Sequence, residues 1–277
     1  MDKEISKDGT VKFNFVGGYS AVIIPLSGKN TLCLSSQVGC AMGCSFCLSG
    51  KRKFERNLSL EELKGQLNAA LQHLGKRKKE KGVREWKLAD DISGIVFMGM
   101  GEPMFNLDNV LAFCDYVNSE YGYAYSRILV STSGVVCRMR EVIARYGNKV
   151  QLAVSLHSPF QEVRDKIMPG LKGFPLKELI KVCHEYNEIY RQKIMIEYLM
   201  IDGVTDRDED LDALIGMGFA RRTLFNLISL NGEVGGMRAS SIERVEEFRE
   251  RLMGAGYKCF TRSSMGSDIS AACGMLK

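Results

Sequence analysis

The chain has 277 residues, 45% apolar and 26% charged, with a net charge of +5. That length supports one large core or two small ones, and without an apolar run of about eighteen residues it offers no membrane-spanning helix. The mild positive charge is compatible with a polyanionic partner without demanding one. The N-terminus, MDKEISKDGTVKF, is charged and lacks the apolar core of a secretion signal, so a reducing cytoplasm is expected for the nine cysteines.

Taken in chain order, Ala21–Pro25 and Thr31–Ser36 read as strands. Leu58–Leu74 reads as a helix: Ser59 caps it, Glu62 completes a capping box, and Leu58 against Leu63 staples its entry. A buried-strand pattern at Ile92–Gly99 precedes a helix from about Leu107 to Val117. The strand Arg127–Thr132 precedes a helix around Met139–Tyr146, and Val150–His157 precedes a long helix from about Pro175 to Tyr190. Lys193–Met200 leads to a helix near Asp208–Met217. Thr223–Leu230 leads to a last helix, with Ser240 and Glu243 as its capping box and Gly254 or Gly256 ending it. A final strand is expected near Cys259. Six strand–helix units after the first cysteine predict a mainly parallel α/β sheet, as in a full or partial α/β barrel, with chemistry at the C-terminal strand ends. The one charge run, GKRKKEKGVREWK at 75–87, reads either as a solvated loop or as a contact to a phosphate backbone.

Four of the nine cysteines lie between Cys33 and Cys47. Cys40, Cys44 and Cys47 have the spacing C-x3-C-x2-C and begin just after a predicted strand. Three thiolates on one tight loop hold three irons of a [4Fe–4S] cube and leave the fourth open to a small molecule. Gly39 and Gly43 suit a backbone that wraps closely, and Phe46 suits a shield against water. The same thiols with Cys33 form an alternative four-thiolate zinc site. Cys33 lies in an apolar strand pattern rather than in a second knuckle, so the spacing favours the cluster while leaving zinc open. A disulfide is disfavoured in a reducing compartment.

The cysteine motif resembles the signature of the radical S-adenosylmethionine (SAM) superfamily. With it, TLCLSSQVGCAMGCSFC, GMGEPMFN, STSGVV, AVSLHSP, IEYLMIDGVTD, NLISLN and DISAACG occur in that order. Together they resemble the RlmN/Cfr-type family, radical SAM methyltransferases of adenine carbons in ribosomal RNA and, in some members, transfer RNA. The resemblance runs from about Ser20 to Met275, in a short form without the family's N-terminal accessory domain. It implies a single domain: a partial (β/α)6 barrel of the radical SAM type over 20–262, an N-terminal segment 1–19 and a C-terminal segment 263–277.

By the same resemblance, Cys40, Cys44 and Cys47 hold the cluster, whose open iron binds the amino and carboxylate groups of SAM. Gly101, Glu102, Ser131, Ser155, His157 and Asn231 match SAM contacts. Cys273 matches the methyl-carrying cysteine. Cys33 matches its partner, which takes the proton from the adenine carbon and then closes a disulfide with Cys273. Two SAM molecules are used, one to methylate Cys273 and one to yield the 5′-deoxyadenosyl radical that activates that methyl group. C2 of adenine is favoured over C8, the electron donor is of the flavodoxin or ferredoxin type, and the enzyme is a monomer.

Cys33 acts as a base only as a thiolate, and Arg52, Lys53 and Arg262 are candidates for the positive charge that favours one. Gly50–Asn57 is a candidate basic rim for RNA, with a solvated loop as the alternative. Ser20 stands where the family tends to carry a glutamate linked to proton handling. Asp268 is not expected to bind metal. Cys114, Cys137, Cys183 and Cys259 read as ordinary buried or partly buried thiols. Two competing readings are a methylase of the same chemistry with a non-RNA substrate, and a non-enzymatic metal-bearing binding module.

Overall fold

The computed structural model describes residues 1–26, 28–80, 88–189, 193–262 and 264–276. The chain opens with three antiparallel strands, β1 (Asp2–Ile5), β2 (Val11–Phe15) and β3 (Tyr19–Leu26), and β4 (Lys29–Cys33) joins β3 antiparallel. The loop after β4 carries a two-stranded ribbon, β5 (Gln37–Val38) with β6 (Arg56–Asn57), and the short helix α1 (Leu48–Lys51) between them. Then come α2 (Leu60–Glu80), α3 (Leu88–Asp91), β7 (Ile92–Phe97), α4 (Leu107–Tyr121), β8 (Ile128–Thr132) and α5 (Val136–Tyr146). The second half follows with β9 (Gln151–Ser155), α6 (Gln161–Ile167), α7 (Leu176–Ile189), β10 (Met195–Met200), α8 (Asp208–Gly216), β11 (Leu224–Ser229), α9 (Ile242–Gly254) and β12 (Lys258–Arg262).

These strands form one sheet in the order β1-β2-β3-β4-β7-β8-β9-β10-β11-β12. From β4 onward every pairing is parallel. Six strand–helix units from β4 to α9, followed by β12, make the α/β partial barrel expected from the sequence. Ile24 of β3, Cys33 of β4 and Thr261 of β12 line one cavity, so the sheet curls until its distant strands face each other. The main core lies between the sheet and the helices. All five residues of β8 are buried, as a parallel strand covered on both faces requires. Each fully buried leucine, valine or phenylalanine there stabilises the fold by about 1.5–3 kcal/mol.

Residues 2–15, expected only as a leading segment, add two strands to the sheet. The tight turn at Asp8–Gly9 lies between β1 and β2, and Gly9 takes a positive φ of 87°. The first long helix begins as expected: Ser59 Oγ accepts from the Glu62 amide, and Glu62 accepts from the Ser59 amide at 2.9 Å. It runs past Leu74 and through Gly75 to Glu80, since a single glycine inside a helix costs only about 1 kcal/mol and does not end it. Most of the 75–87 charge run lies outside the described residues.

The cap of α9 is one residue later than the sequence pattern suggested. Ser241, not Ser240, accepts from the Arg244 amide at 3.1 Å. The Ser240 amide is drawn to the Met200 carbonyl at the end of β10, and its hydroxyl is buried without a partner. Ser241→Ala is therefore expected to cost about 0.5–2 kcal/mol in denaturant unfolding. Ser240→Ala removes an unsatisfied polar atom and should leave stability unchanged or slightly raised.

Candidate active site

The C-terminal ends of β4 and β7–β12 open into two adjoining cavities that share Phe46, Cys47, Ser49, Met98, Gly99, Ser155 and His157. The smaller, of 150 Å³, is lined by Cys40, Cys44 and Cys47 together with Gly101, Glu102 and Ser131–Ser133. The larger, of 390 Å³, holds Cys33 and Cys273 together with Asn226, Asn231 and Arg262. All eleven residues singled out in the sequence thus line one or both cavities.

The loop after β4 wraps tightly around the smaller cavity. Gly39 has a φ of 72°, and a Cβ there would lie 1.9 Å from the Lys53 carbonyl oxygen, so only glycine fits. Burial pushes the Cys40 thiol up to about 12 and the Cys44 thiol well above its usual range, and the neighbouring loop thiols add to both shifts. Thiols that resist ionisation alone but crowd together suit a cation that neutralises several thiolates at once. Among the described residues, no three His, Cys, Asp or Glu side chains are grouped to hold a single metal ion. Cys33 lies in the other cavity, which removes the fourth ligand of the zinc alternative. Three thiols spread around one cavity fit a cube, in which each thiolate takes a different iron.

Glu102 is buried beside this loop. Its carboxylate accepts from the Met104 amide at 3.1 Å, the Ser133 amide at 2.8 Å and the Ser133 hydroxyl at 2.6 Å. Burial raises its pKa, and the Ser133 bonds oppose the rise. The Thr132 hydroxyl adds a further bond that opposes the rise, so the buried carboxylate is well supplied with donors. His157 follows β9 in the left-handed region, at φ 57°, which is uncommon for a residue with a side chain. Its Nδ1 accepts from the Leu199 amide at 3.1 Å, so the neutral ring carries its proton on Nε2. Burial first, and the Arg164 charge second, push its pKa down to about 3. Phe46 meets the ring edge-on, with centroids 5.1 Å apart.

Arg262 of the larger cavity pairs with a buried acid behind the lining, Glu197, that sequence reasoning missed. Glu197, on β10, accepts from Ser131 Oγ at 3.2 Å and from Asn226 Nδ2 at 3.4 Å, and lies 3.9 Å from the Arg262 guanidinium. Burial raises the Glu197 pKa and Arg262 opposes the rise. The only sequence signal was a lone acid within the apolar run MIEYLM. Burial pushes the Cys33 thiol up to about 12, reinforced by the charge of Cys273 and opposed by Arg262. Cys273 is raised by burial and again opposed by Arg262. Of the three candidate cations, Arg262 is therefore the one that acts on both thiols. Arg52 is held instead by Glu55 at 2.8 Å and by the Gly18 carbonyl at 2.6 Å.

Asn231 donates to the Cys273 carbonyl at 2.9 Å, and its Oδ1 accepts from Ser264 Oγ, so it holds the C-terminal segment. Ser20 is buried and donates to Asn14 at 2.9 Å. On the 50–57 rim, Arg56 pairs with Glu62, while Lys51 and Lys53 are exposed and pair with none of the described acids. Cys114, Cys183 and Cys259 are buried as expected, whereas Cys137 is exposed on the first turn of α5.

A family model described as the radical SAM superfamily matches residues 34–215. The chain is 40% identical, over its whole length and 79% of the relative's, to the dual-specificity RNA methyltransferase RlmN of Syntrophobacter fumaroxidans. The corresponding protein of Geotalea uraniireducens is 41% identical over 99% of this chain and 77% of its own. This chain belongs to the RlmN family of radical SAM RNA methyltransferases. A radical SAM methyltransferase from Sphaerobacter thermophilus superposes on the RlmN-type chain with a TM-score of 0.88, at 35% identity, covering 100% of this chain and 80% of that one. The radical SAM family uses a [4Fe–4S] cluster and SAM, and the three loop thiols fit the cluster. Among the described residues no helix is long and apolar enough to cross a membrane.

Two measurements test the electrostatics of this site. Arg262→Gln is expected to raise both thiol pKa values, cutting alkylation of Cys33 and Cys273 at pH 8 roughly tenfold for each unit of rise. A labelling rate equal to that of the unsubstituted protein would contradict the assignment. At His157 the folded state refuses a proton that the unfolded chain accepts, so stability is expected to fall as pH drops from about 6.5 towards 3. His157→Gln should flatten that part of the denaturation profile.

Proposed function

We propose that this chain transfers a methyl group to an adenine carbon of ribosomal or transfer RNA, at C2 in preference to C8, with Cys273 as the methyl carrier. The observation that carries this reading is the shared lining of one cavity by Cys33 and Cys273, thiols from opposite ends of the chain, beside a second cavity ringed by three more thiols. The names of the RlmN relatives support RNA as the substrate.

Cys40, Cys44 and Cys47 would hold the [4Fe–4S] cluster. When bound, the cluster supplies the electron that cleaves SAM and so gives access to radical chemistry at a carbon too poor in electrons for ordinary methyl transfer. The Glu102 carboxylate lines the smaller cavity and suits the SAM amino group as a charge-assisted acceptor, and the backbone at Gly101 lies beside it. Ser155 and the Nε2–H of His157 line the same cavity as donors, Ser131 lines it with its proton turned to Glu197, and Asn231 fixes the loop opposite. His157 stays neutral, so it offers a hydrogen bond without adding charge. Cys273 Sγ holds the methyl group. Cys33 Sγ serves as the base for the ring proton and then pairs with Cys273 to release the product. Arg262 offsets the burial that keeps both thiols protonated, and Glu197 holds Arg262 in place. A cavity of 390 Å³ falls within the size range of small-ligand sites and suits a base turned out of its stack. A flavodoxin- or ferredoxin-type electron donor, a monomeric chain and a cytoplasmic setting complete the proposal.

The test is to incubate reconstituted protein, SAM and reductant with ribosomal and transfer RNA, then digest the RNA for mass spectrometry. The expected product is 2-methyladenosine, lost in Cys273→Ala and Cys33→Ala. Cys44→Ala should lose iron and the visible absorption of the cluster. Absence of methyladenosine on every RNA offered would overturn the reading.

A further inference from the structure

The C-terminal segment that carries Cys273 is not held only by its immediate neighbours. Its turn at Gly266–Ser270 meets the β1–β2 turn at the other end of the chain, and the two turns exchange carboxylates. Asp268 Oδ1 accepts from Ser6 Oγ at 2.5 Å, and Asp268 Oδ2 accepts from the Lys7 amide at 3.2 Å. In return Asp8 Oδ2 accepts from the Gly266 amide at 2.7 Å, while Asp8 Oδ1 closes its own turn on the Thr10 amide at 2.8 Å. Lys12 adds a bond to the Ile269 carbonyl at 3.2 Å and pairs with Glu4 at 3.4 Å. The contact is also tightly packed: a Cβ on Gly266 would come within 2.8 Å of both Thr10 and Ala271.

Beyond this clasp the segment turns into the barrel. Ala271 and Leu276 pack with Val22, Cys33 and Met100 in a small apolar cluster on the cavity side. Cys273 lies between these two anchors. Its carbonyl is held by Asn231, and the carbonyls of Gly274 and Leu276 are held by the Leu48 amide at 2.7 Å and Ser49 Oγ at 2.6 Å. The downstream side is thus tied to the cysteine loop and α1, and the polar ties of the upstream side run to the N-terminal hairpin and Asn231.

We propose that Asp8 and Asp268 are positioning residues: their reciprocal clasp sets the reach of Cys273 towards Cys33 across the cavity. The inference rests on the reading of Cys273 as the methyl carrier. A thiol that must face a methyl donor, then a base, then Cys33 gains from an anchor on each side, because a small displacement of a reacting atom costs rate steeply. The amides of Gly266 and Thr10 hold the Asp8 carboxyl down to about 2 against a burial penalty, so the clasp stays charged through the whole working range of pH.

The test compares Asp8→Ala, Asp268→Ala and Asp8→Asn in holoprotein, with Asp2→Ala as a control for charge removal on the same hairpin. Three readouts are taken: the melting temperature, the ratio of methyladenosine to 5′-deoxyadenosine, and the rate at which a thiol oxidant links Cys33 to Cys273, followed by mass spectrometry of the linked peptide. The two alanine variants should keep melting temperature and 5′-deoxyadenosine release. Their methyladenosine yield per 5′-deoxyadenosine and their linking rate should fall roughly tenfold or more, with partial recovery in Asp8→Asn and no change in Asp2→Ala. An unchanged ratio and linking rate would overturn the proposal. So would a parallel loss of both products with a lowered melting temperature, which is the mark of a purely structural role. If instead Cys273 of the unsubstituted protein carries no methyl group and Cys273→Ala still methylates RNA, the reading of Cys273 fails, while the linking rate still decides the clasp.

Discussion

Parallel pairing is the constraint on which the rest of this molecule depends. From β4 to β12 each strand runs in the same direction as its neighbour, so the C-terminal ends collect on one rim. An antiparallel sheet would send alternate loops to opposite ends. Here the loop after β4 brings three thiols, that after β7 brings Gly101 and Glu102, and those after β8 and β9 bring Ser133 and His157. β10 places Glu197 beneath them, and β12 ends on Arg262. Each residue is supplied locally, and the curl of the sheet turns a row of loop ends into a ring.

The price of that ring is desolvation. The closed walls that exclude water also push the thiols of Cys33, Cys40 and Cys44 towards the protonated state. Two different remedies are built in. The loop thiols line one cavity, where a multiply charged cluster would neutralise them. Cys33 and Cys273 stand apart from that group and depend on one guanidinium, Arg262. The part-buried guanidinium is balanced by Cys273 and by Glu197. Glu197 in turn is steadied by Ser131 and Asn226, so the charge pair joins the two cavities through four strands, β8, β10, β11 and β12. Removing Arg262 leaves the buried Glu197 carboxylate to the Ser131 and Asn226 donors.

Much of the fold was legible in the sequence. The alternation of short apolar runs with amphipathic segments located β3, β4 and the six strand–helix units, and the Ser59/Glu62 box marked the start of α2 to the residue. The cysteine spacing isolated the loop thiols, and the ordered motifs pointed to eleven of the residues that line the cavities. The misses have physical causes. The β1–β2 hairpin carried an Asp-Gly turn signal, but β1 is short and almost wholly exposed while β2 has three consecutive buried residues, so neither shows a clear alternation. The start of α9 slipped by one because two adjacent serines satisfy the same capping rule, and only the pull of Met200 on the Ser240 amide chooses between them. Arg262 could be named as a candidate cation but not chosen over Arg52 or Lys53.

The sequence by itself determined the α/β class, the order of the elements, the family and the identity of the thiols. All of these are written in local periodicity, spacing and residue type. Only the tertiary structure decided that Arg262 rather than Arg52 faces the thiols, that Glu197 is its buried counter-charge, and that Asp8 and Asp268 join the two ends of the chain. Those pairings link positions far apart along the polypeptide. A carboxylate accepts from any donor that the fold delivers, and no local pattern records which distant one arrives.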